Sequence, residues 1–425
     1  MTQTPRAANP ASRILAASLI GTTIEFFDFY IYATAAVLVF PKLFFPAADP
    51  IAATLASLAT FALAFFARPL GAALFGHFGD RKGRKATLVA SLMTMGPSTV
   101  IIGLLPSYHT IGIAAPILLA LCRFGQGLGL GGEWGGAVLL ATENAPKHKK
   151  AWYGMFPQLG APIGFLLSSG SFFILSKLLT DEQFLSYGWR IPFLASALLV
   201  WVGLYIRLKI TETPDFISIM NNQARVKMPV ITVFAKHGKV VFLGTVATIT
   251  TFLIFYIMTV FTLSWGTTVL SYPRESMLIA QMISMIFFAI GIPISALLAD
   301  RKGWNYVLIG STVGIFAFGL FFAPFFSTGS LLITVIFQSC GLFLMGLNYA
   351  PIGTALAEIF PPEVRYTGAS LCFTVAGILG ASLTPYLATT LANSYGLAYV
   401  GYYLSFGALI STIALIASRS LMRRG

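Results

Sequence analysis

Five ionisable side chains stand where long apolar runs should hold none. Glu25 and Asp28 lie in the first such run, Arg68 in the second, and Arg123 and Glu133 in the fourth. Each charge at bilayer depth costs on the order of 2.5–3.5 kcal/mol even on the lenient insertion scale, so a set of this size survives only by internal pairing or by performing work. The spacing brings them together. Glu25, Asp28 and Tyr32 follow an i, i+3, i+7 pattern and share one helix face. Arg123, Gln126, Leu130, Glu133 and Trp134 fall within about 100° of one another at 3.6 residues per turn. Such groups either neutralise one another and fix helix packing, or carry protons and hold a charged solute. Covalent chemistry is a poor fit, because no nucleophile–base constellation is visible and His77, His109, His148 and His237 are scattered near the ends of apolar runs.

The elements that must position these residues are read from composition. Hydrophobic residues make up 57% of the 425-residue chain and Asp, Glu, Lys and Arg only 10%, against about 25% charged in a soluble domain. Most of the surface must therefore face lipid. Apolar runs of about 20 residues read as spanning helices, and there are twelve: 14–40, 51–75, 86–105, 112–142, 151–177, 190–208, 240–266, 276–299, 305–325, 330–358, 367–392 and 396–418. With a cytoplasmic N-terminus, 21 Lys and Arg fall on the inner side and 4 on the outer, with Arg68 and Arg123 inside spans. That bias predicts both termini in the cytoplasm. The net charge of +13 thus reports topology and contact with anionic lipid. Nucleic acid is not an expected partner, because no basic soluble module exists. The first run is too long and too acidic for a cleaved signal peptide. Cys122, Cys340 and Cys372 show no metal-ligand or redox spacing. Gly127-x-Gly129-x-x-Gly132 formally matches a dinucleotide pattern, but inside a spanning helix small residues serve close helix contact.

The chain is also doubled. Asp80-Arg81-Lys82-Gly83 in the first half recurs as Asp300-Arg301-Lys302-Gly303 in the second. Glu143-x-x-Pro146 with Lys150 likewise recurs as Glu358-x-x-Pro361 with Arg365. Duplicated spans with charged hinges are a transporter architecture. The expected organisation is a six-helix bundle over 1–210, a cytoplasmic central loop over 211–238 and a second bundle over 239–425.

Over its whole length the chain resembles the major facilitator superfamily. Gly76-His77-Phe78-Gly79-Asp80-Arg81-Lys82-Gly83-Arg84-Lys85 is similar to that superfamily's loop between helices 2 and 3, and Arg123-Phe124-Gly125-Gln126-Gly127 to its helix 4 motif. Gly21-Thr22-Thr23-Ile24-Glu25-Phe26-Phe27-Asp28-Phe29-Tyr30, Arg68-Pro69-Leu70-Gly71, Gly132-Glu133-Trp134-Gly135-Gly136-Ala137 and Gly188-Trp189-Arg190-Ile191-Pro192-Phe193 resemble its metabolite:proton symporter subfamily. Known relatives carry proline and betaine, or acids such as shikimate, 2-oxoglutarate and citrate. The helix 5 run Gly160-Ala161-Pro162-Ile163-Gly164 departs from the antiporter signature, which disfavours exchange.

The resemblance implies an all-α membrane fold of twelve helices in two pseudo-symmetric bundles. It also implies a bacterial inner-membrane location and proton-coupled uptake of a small polar organic metabolite, with the proton as coupling ion and no other cofactor. A coupling pair of one helix 1 acid with the helix 4 arginine is implied too, placed here at Asp28 and Arg123, with Glu25, Glu133 and Arg68 around it. Burial favours a neutral carboxyl and a facing guanidinium favours the carboxylate, so protonation would release Arg123 to engage a solute. One charge crossing 100 mV supplies about 2.3 kcal/mol, roughly fortyfold accumulation. Tyr32, Gln126, Trp134, Gln158, Tyr256 and Asn348 are the candidate cavity residues. Helices 7–11 have no charge at mid-depth, so coupling is expected in the first half.

Asp80, Arg81, Gly83, Arg84 and Glu143, with Asp300, Arg301, Glu358 and Arg365, are expected to form an inner gate, with Asp80 accepting backbone hydrogen bonds from a facing helix N-terminus of the other half and Glu143 pairing with Arg84 or Arg81. Trp304-Asn305 after Gly303 predicts a weaker second copy. The competing readings are uncoupled facilitation or efflux on the same scaffold and, lower, a solute sensor. A monomer is expected, with no metal and no catalytic site.

Overall fold

A computed structural model describes residues 11–46, 49–82, 84–209, 229–361 and 364–422, side chains excepted at 13, 76–82, 84, 85, 229 and 419–422. Among the described residues all regular structure is helical, as a bilayer demands of any segment that must satisfy its own backbone. Eleven helices among the described residues are long and apolar enough to cross a membrane, and a twelfth apolar helix, Trp304–Leu320, is shorter. In chain order they are α1 Ala11–Leu38, α2 Pro50–Lys82, α3 Arg84–Leu104, α4 Ala114–Gly131 continued as Trp134–Glu143, α5 Lys150–Leu178 and α6 Arg190–Leu208. The second set is α7 from Pro229 to Thr268, α8 Arg274–Lys302, α9 Trp304–Leu320, α10 Leu331–Glu358, α11 from Arg365 to Tyr395 and α12 Leu397–Met422. Each expected span coincides with one of them. Leu70, Leu121, Leu198, Trp201 and Phe406 are exposed, the apolar outer surface that lipid covers.

Two boundaries differ from expectation. Helix α7 begins at Pro229, well before residue 240, because proline is tolerated at a first helical position. It bends at His237, where φ is −124°, so two stretches of helix are joined. The ninth span stops at Leu320 and a separate turn, Phe322–Phe326, completes it.

Three helices are interrupted. In α4 the break falls at Gly132 and Glu133. Single π turns interrupt α7 at Ile257–Phe261 and α11 at Ile378–Ser382. Such turns cluster at functional sites, and broken helices form the binding region of many transporters.

The bundles pack by the same device twice. In the first, α1 packs on α5, α2 on α4 and α3 on α6; in the second, α8 packs on α10 and α12 on both α7 and α9. A β-carbon on Gly71 would lie 2.0 Å from the carbonyl oxygen of Leu128, and one on Gly131 2.0 Å from that of Arg68. Gly291 and Gly346 hold the α8–α10 crossing, their added β-carbons falling 2.7 Å and 2.5 Å from the carbonyls of Phe343 and Phe288. Gly71 stands to Gly291 as Asp80 stands to Asp300, and Gly131 stands to Gly346 as Glu143 stands to Glu358. The duplication thus reaches the packing glycines as well as the charged motifs. Gly127 meets Ala64 and Gly129 meets Ser91 equally closely, so the dinucleotide-like glycines are helix contacts. The bundles meet along α5 against α8 and α2 against α11. The end carrying Lys147–Lys150, Arg301 and Arg365 is called the basic end below.

Candidate functional site

Six charged side chains are buried among the described residues, and all belong to the first bundle: Glu25, Asp28, Arg68, Arg123, Glu133 and Arg207. Five were expected. The sixth, Arg207, is one of the 21 charges that the sequence tally places on the inner side, and it is 5% exposed. Its guanidinium forms an ion pair with Glu133, at the break in α4, and donates to the Leu88 carbonyl at 2.6 Å. Glu25 faces both Arg68 and Arg207. Arg68 lies over the rings of Phe29 and Phe65 at 4.7 and 4.6 Å.

Asp28 and Arg123 are each 0% exposed, and they do not form the direct ion pair expected from sequence. Ser196 Oγ donates to Asp28 Oδ1 at 2.5 Å, while Oδ2 has no hydrogen-bond partner. Thr99 and Glu25 also face this carboxyl. Arg123 donates from Nε to the Phe61 carbonyl at 3.4 Å and from Nη1 to Gln126 Oε1 at 2.9 Å; Nη2 has no partner. Its guanidinium sits over Tyr32, Phe29 and Phe61 at 4.1, 4.3 and 4.8 Å, and ring faces stabilise a desolvated cation. Gln126 Nε2 in turn donates to Thr99 Oγ1 at 2.8 Å. Gln126 and Thr99 thus extend the contacts of Arg123, the Thr99 hydroxyl donating on to the Met95 carbonyl at 3.1 Å, and Asp28 and Arg123 each keep one uncommitted polar atom.

The cavity candidates divide. Tyr256 reaches across from α7 and contacts Phe65, Phe61 and Phe29 at 5.4, 5.7 and 6.5 Å between ring centroids. Trp134 stacks on Phe373 of α11 at 3.7 Å and 4° and donates to Gln158 Oε1 at 3.3 Å. Gln158 donates across to the Tyr349 carbonyl at 3.0 Å. These three lie on the seam between bundles. Tyr32 and Gln126 instead serve Arg123 within the first bundle, the Tyr32 hydroxyl lying 3.0 Å from Thr60 Oγ1. Asn348 departs from expectation. Its oxygen accepts from Thr251, and its nitrogen donates to Ser311 and Thr312 at 3.0 Å each. That amide is consumed in tying α7, α9 and α10 together and has little left for a solute.

At the basic end the second copy of the duplicated motif is the one on view. Asp300 Oδ1 and Oδ2 accept the Ala151 and Trp152 amides at 2.9 and 3.0 Å. A carboxylate from α8 thus sits on the N-terminus of α5, where orphan N–H groups and the helix dipole favour it. Glu358 pairs with Lys150 at 3.1 Å and accepts from Trp304 Nε1 at 3.0 Å. Trp304, the residue on which a weaker second copy was expected, supplies one of these hydrogen bonds. Lys150 had been noted only as part of the repeat. Arg365 bonds the Phe360 carbonyl at 3.3 Å, Arg301 is exposed and Glu143 is half-buried. Gly83 and the side chains of Asp80, Arg81 and Arg84 lie outside the described residues. Higher on the seam, the Tyr366 hydroxyl donates to the Gly132 carbonyl at 2.6 Å.

At the opposite end Arg274 pairs with the exposed Asp181 at 2.9 Å. A cavity of about 250 Å³ opens nearby, lined by Asp49, Thr54, Ser264, Trp265, Thr389 and Asn393 among others. Among the described residues no group of His, Cys, Asp and Glu is arranged to hold a metal ion.

Known proteins are similar to this chain over nearly its whole length. The inner membrane metabolite transport protein YhjE of Escherichia coli K12 is 56% identical over 96% of this chain and 94% of its own length. The shikimate transporter of the same organism is 39% identical over 97% and 95%. The solved proton:xylose symporter XylE superposes with a TM-score of 0.76 at 16% identity, covering 96% of this chain and 94% of that one. Residues 14–232 match the sugar (and other) transporter family. With its doubled six-helix bundles and its relatives, the chain belongs to that family of the major facilitator superfamily and is a multi-pass membrane transporter of metabolites, not an enzyme.

Proposed function

We propose that this protein is a proton-coupled symporter. It brings a small polar organic metabolite, of the organic acid, amino acid or betaine class, into a bacterial cell across the inner membrane by alternating access. The observation that carries the reading is a fully buried acid and a fully buried base with no ion-pair partner among the described residues. Glu133 is bound to Arg207, whereas Asp28 and Arg123 have no such partner and each keeps one polar atom free, as Arg68 Nε and Glu133 Oε2 also do. Asp28 Oδ2 is the place for a proton, and Arg123 Nη2 is the place for an acceptor atom of the solute.

The cycle follows from solvation. Water reaching the site delivers a proton to Asp28, and its neutral carboxyl no longer offsets the charge on Arg123. The solute then replaces ring faces and water as the partner of Arg123. Closure follows once no unpaired charge remains to be buried, since an isolated ion costs several kcal/mol in a dry interior. Rocking at the seam breaks the Asp300 cap on α5 and the Lys150–Glu358 contact at one end, or the Arg274–Asp181 pair at the other.

Orientation rests on the basic end facing the cytoplasm. The 21 Lys and Arg on that side against four on the other support this, and the reading puts both termini in the cytoplasm. The inner-membrane assignment leans on the name of the E. coli relative.

The test is uptake in proteoliposomes, with the solute chosen by thermal-shift screening of the purified protein. Asp28→Asn is expected to abolish accumulation driven by protons while retaining counterflow, and Arg123→Ala to lose both. Full accumulation by Asp28→Asn would refute the assignment.

A further inference from the structure

We propose that the co-transported solute carries one net negative charge, so that a complete cycle moves no net charge and the pH difference alone drives accumulation. This rests on the reading of Asp28 as proton carrier and Arg123 as solute anchor, and it adds the charge class of the solute and the driving force.

The warrant is the inventory of buried charge. Three carboxylates (Glu25, Asp28, Glu133) and three guanidiniums (Arg68, Arg123, Arg207) are buried, and no charged residue of the second bundle is buried among the described residues. The empty site is neutral as a whole with Asp28 ionised. One proton on Asp28 leaves an excess of one positive charge. A monoanion cancels that excess, a zwitterion leaves it standing, and a dianion inverts it. The state that crosses the occluded intermediate is the one without buried net charge, because an uncompensated ion costs several kcal/mol.

The surroundings place the excess on Arg123. Facing Asp28 are Ser196 from α6, Thr99 from α3 and Glu25 on its own helix. Facing Arg123 are Tyr32 and Phe29 from α1, Phe61 and Arg68 from α2 and Tyr256 from α7. No carboxylate stands among the groups around Arg123, and its Nη2 is buried without an acceptor. Two guanidiniums, Arg68 and Arg123, already lie over the Phe29 ring at 4.7 and 4.3 Å. Those aromatic faces are thus occupied by cations, which makes the pocket hostile to a quaternary ammonium or amine and receptive to a carboxylate.

The experiment uses the full chain in proteoliposomes with potassium and valinomycin to set the membrane potential. The probes are gluconate, lactate and pyroglutamate as monoanions, glycine betaine and proline as zwitterions, and succinate and citrate as polyanions. A monoanion is expected to raise the melting temperature. It should accumulate about tenfold per unit of pH difference, at ~1.4 kcal/mol per decade, and show no accumulation from an inside-negative potential at equal pH. Potential-driven accumulation, selection of a zwitterion or polyanion, or a panel in which no monoanion binds would each overturn the charge rule. Asp28→Asn separates this from failure of the underlying reading. If that variant still accumulates solute with the pH difference, the proton site is wrong. If it loses accumulation while the parent responds to potential, only the charge rule is wrong.

Discussion

Arg207→Met is expected to be among the most destabilising single changes in the first bundle, although Arg207 stands near the end of its helix. Arg207 is 5% and Glu133 2% exposed. Removing one partner of a buried ion pair leaves the other ionised without compensation, a loss of about 3–5 kcal/mol. Here the stranded carboxylate sits at the interruption of α4, Glu25 loses one of its two cations, and the Leu88 carbonyl loses its donor. At roughly 2 °C per kcal/mol for a large chain, the apparent melting temperature in detergent should fall by about 6–10 °C at a fixed scan rate. Arg207→Lys should fall part of the way, because one ammonium cannot reproduce the fork that serves both Glu133 and Leu88. The double variant Glu133→Gln with Arg207→Met should recover most of the loss, since replacing both members of a buried pair is often near neutral. A single variant within about 1 kcal/mol of the parent, or a double no better than the single, would refute the pairing as the source of stability.

Other expectations follow from the same contacts. Asp300→Ala strands the Ala151 and Trp152 amides, at a cost to the closed basic end of about 1–2 kcal/mol, or a shift of roughly 5- to 30-fold in population. Ser370 of α11 lies on the seam against Gly135 of α4, where a β-carbon added to the glycine would fall 2.1 Å from the Ser370 Oγ. Alkylation of a cysteine placed at Ser370, with the native cysteines replaced by serine, should accelerate accordingly, and an unchanged rate would show that the cap does not hold the seam. Lys150→Ala should change that rate far less, because Lys150 and Glu358 are 40% and 37% exposed and such pairs contribute about 0–1 kcal/mol. Gly71→Ala should abolish the monodisperse peak in size-exclusion chromatography, its β-carbon falling 2.0 Å from the Leu128 carbonyl oxygen, whereas Gly310→Ala meets nothing within 4 Å and should leave the peak intact.

How far the site was legible depends on the range of the interactions concerned. The acceptor role foreseen for Asp80 is visible at its repeat Asp300, because a carboxylate at a repeated hinge position has few chemical options at a helix N-terminus. The Trp304 contact was not foreseen, since a tryptophan in place of a basic residue gives no sign along the chain that Glu358 lies beside it. The pairing of Arg207 was not visible because a tally of inner-side charges records only distance from the end of an apolar run. Its direction depends on α3 and α4 packing beside α6, and its partner Glu133 belongs to a helix two earlier in the chain. Asn348 looked available because its partners Thr251, Ser311 and Thr312 sit on two other helices.

The chain alone determined the twelve membrane crossings, the doubling and the confinement of buried charge to the first half. Each of these follows from local solvation costs or from repetition that can be read along a line. Which charges pair was decided only when six helices closed around them. Asp28 received a serine hydroxyl from α6, Arg123 received ring faces from α1 and α2, and Arg207 took the glutamate that sequence had left to the coupling site. Electrostatic partnership acts over a few ångströms in space, and adjacency along the chain carries almost none of that information.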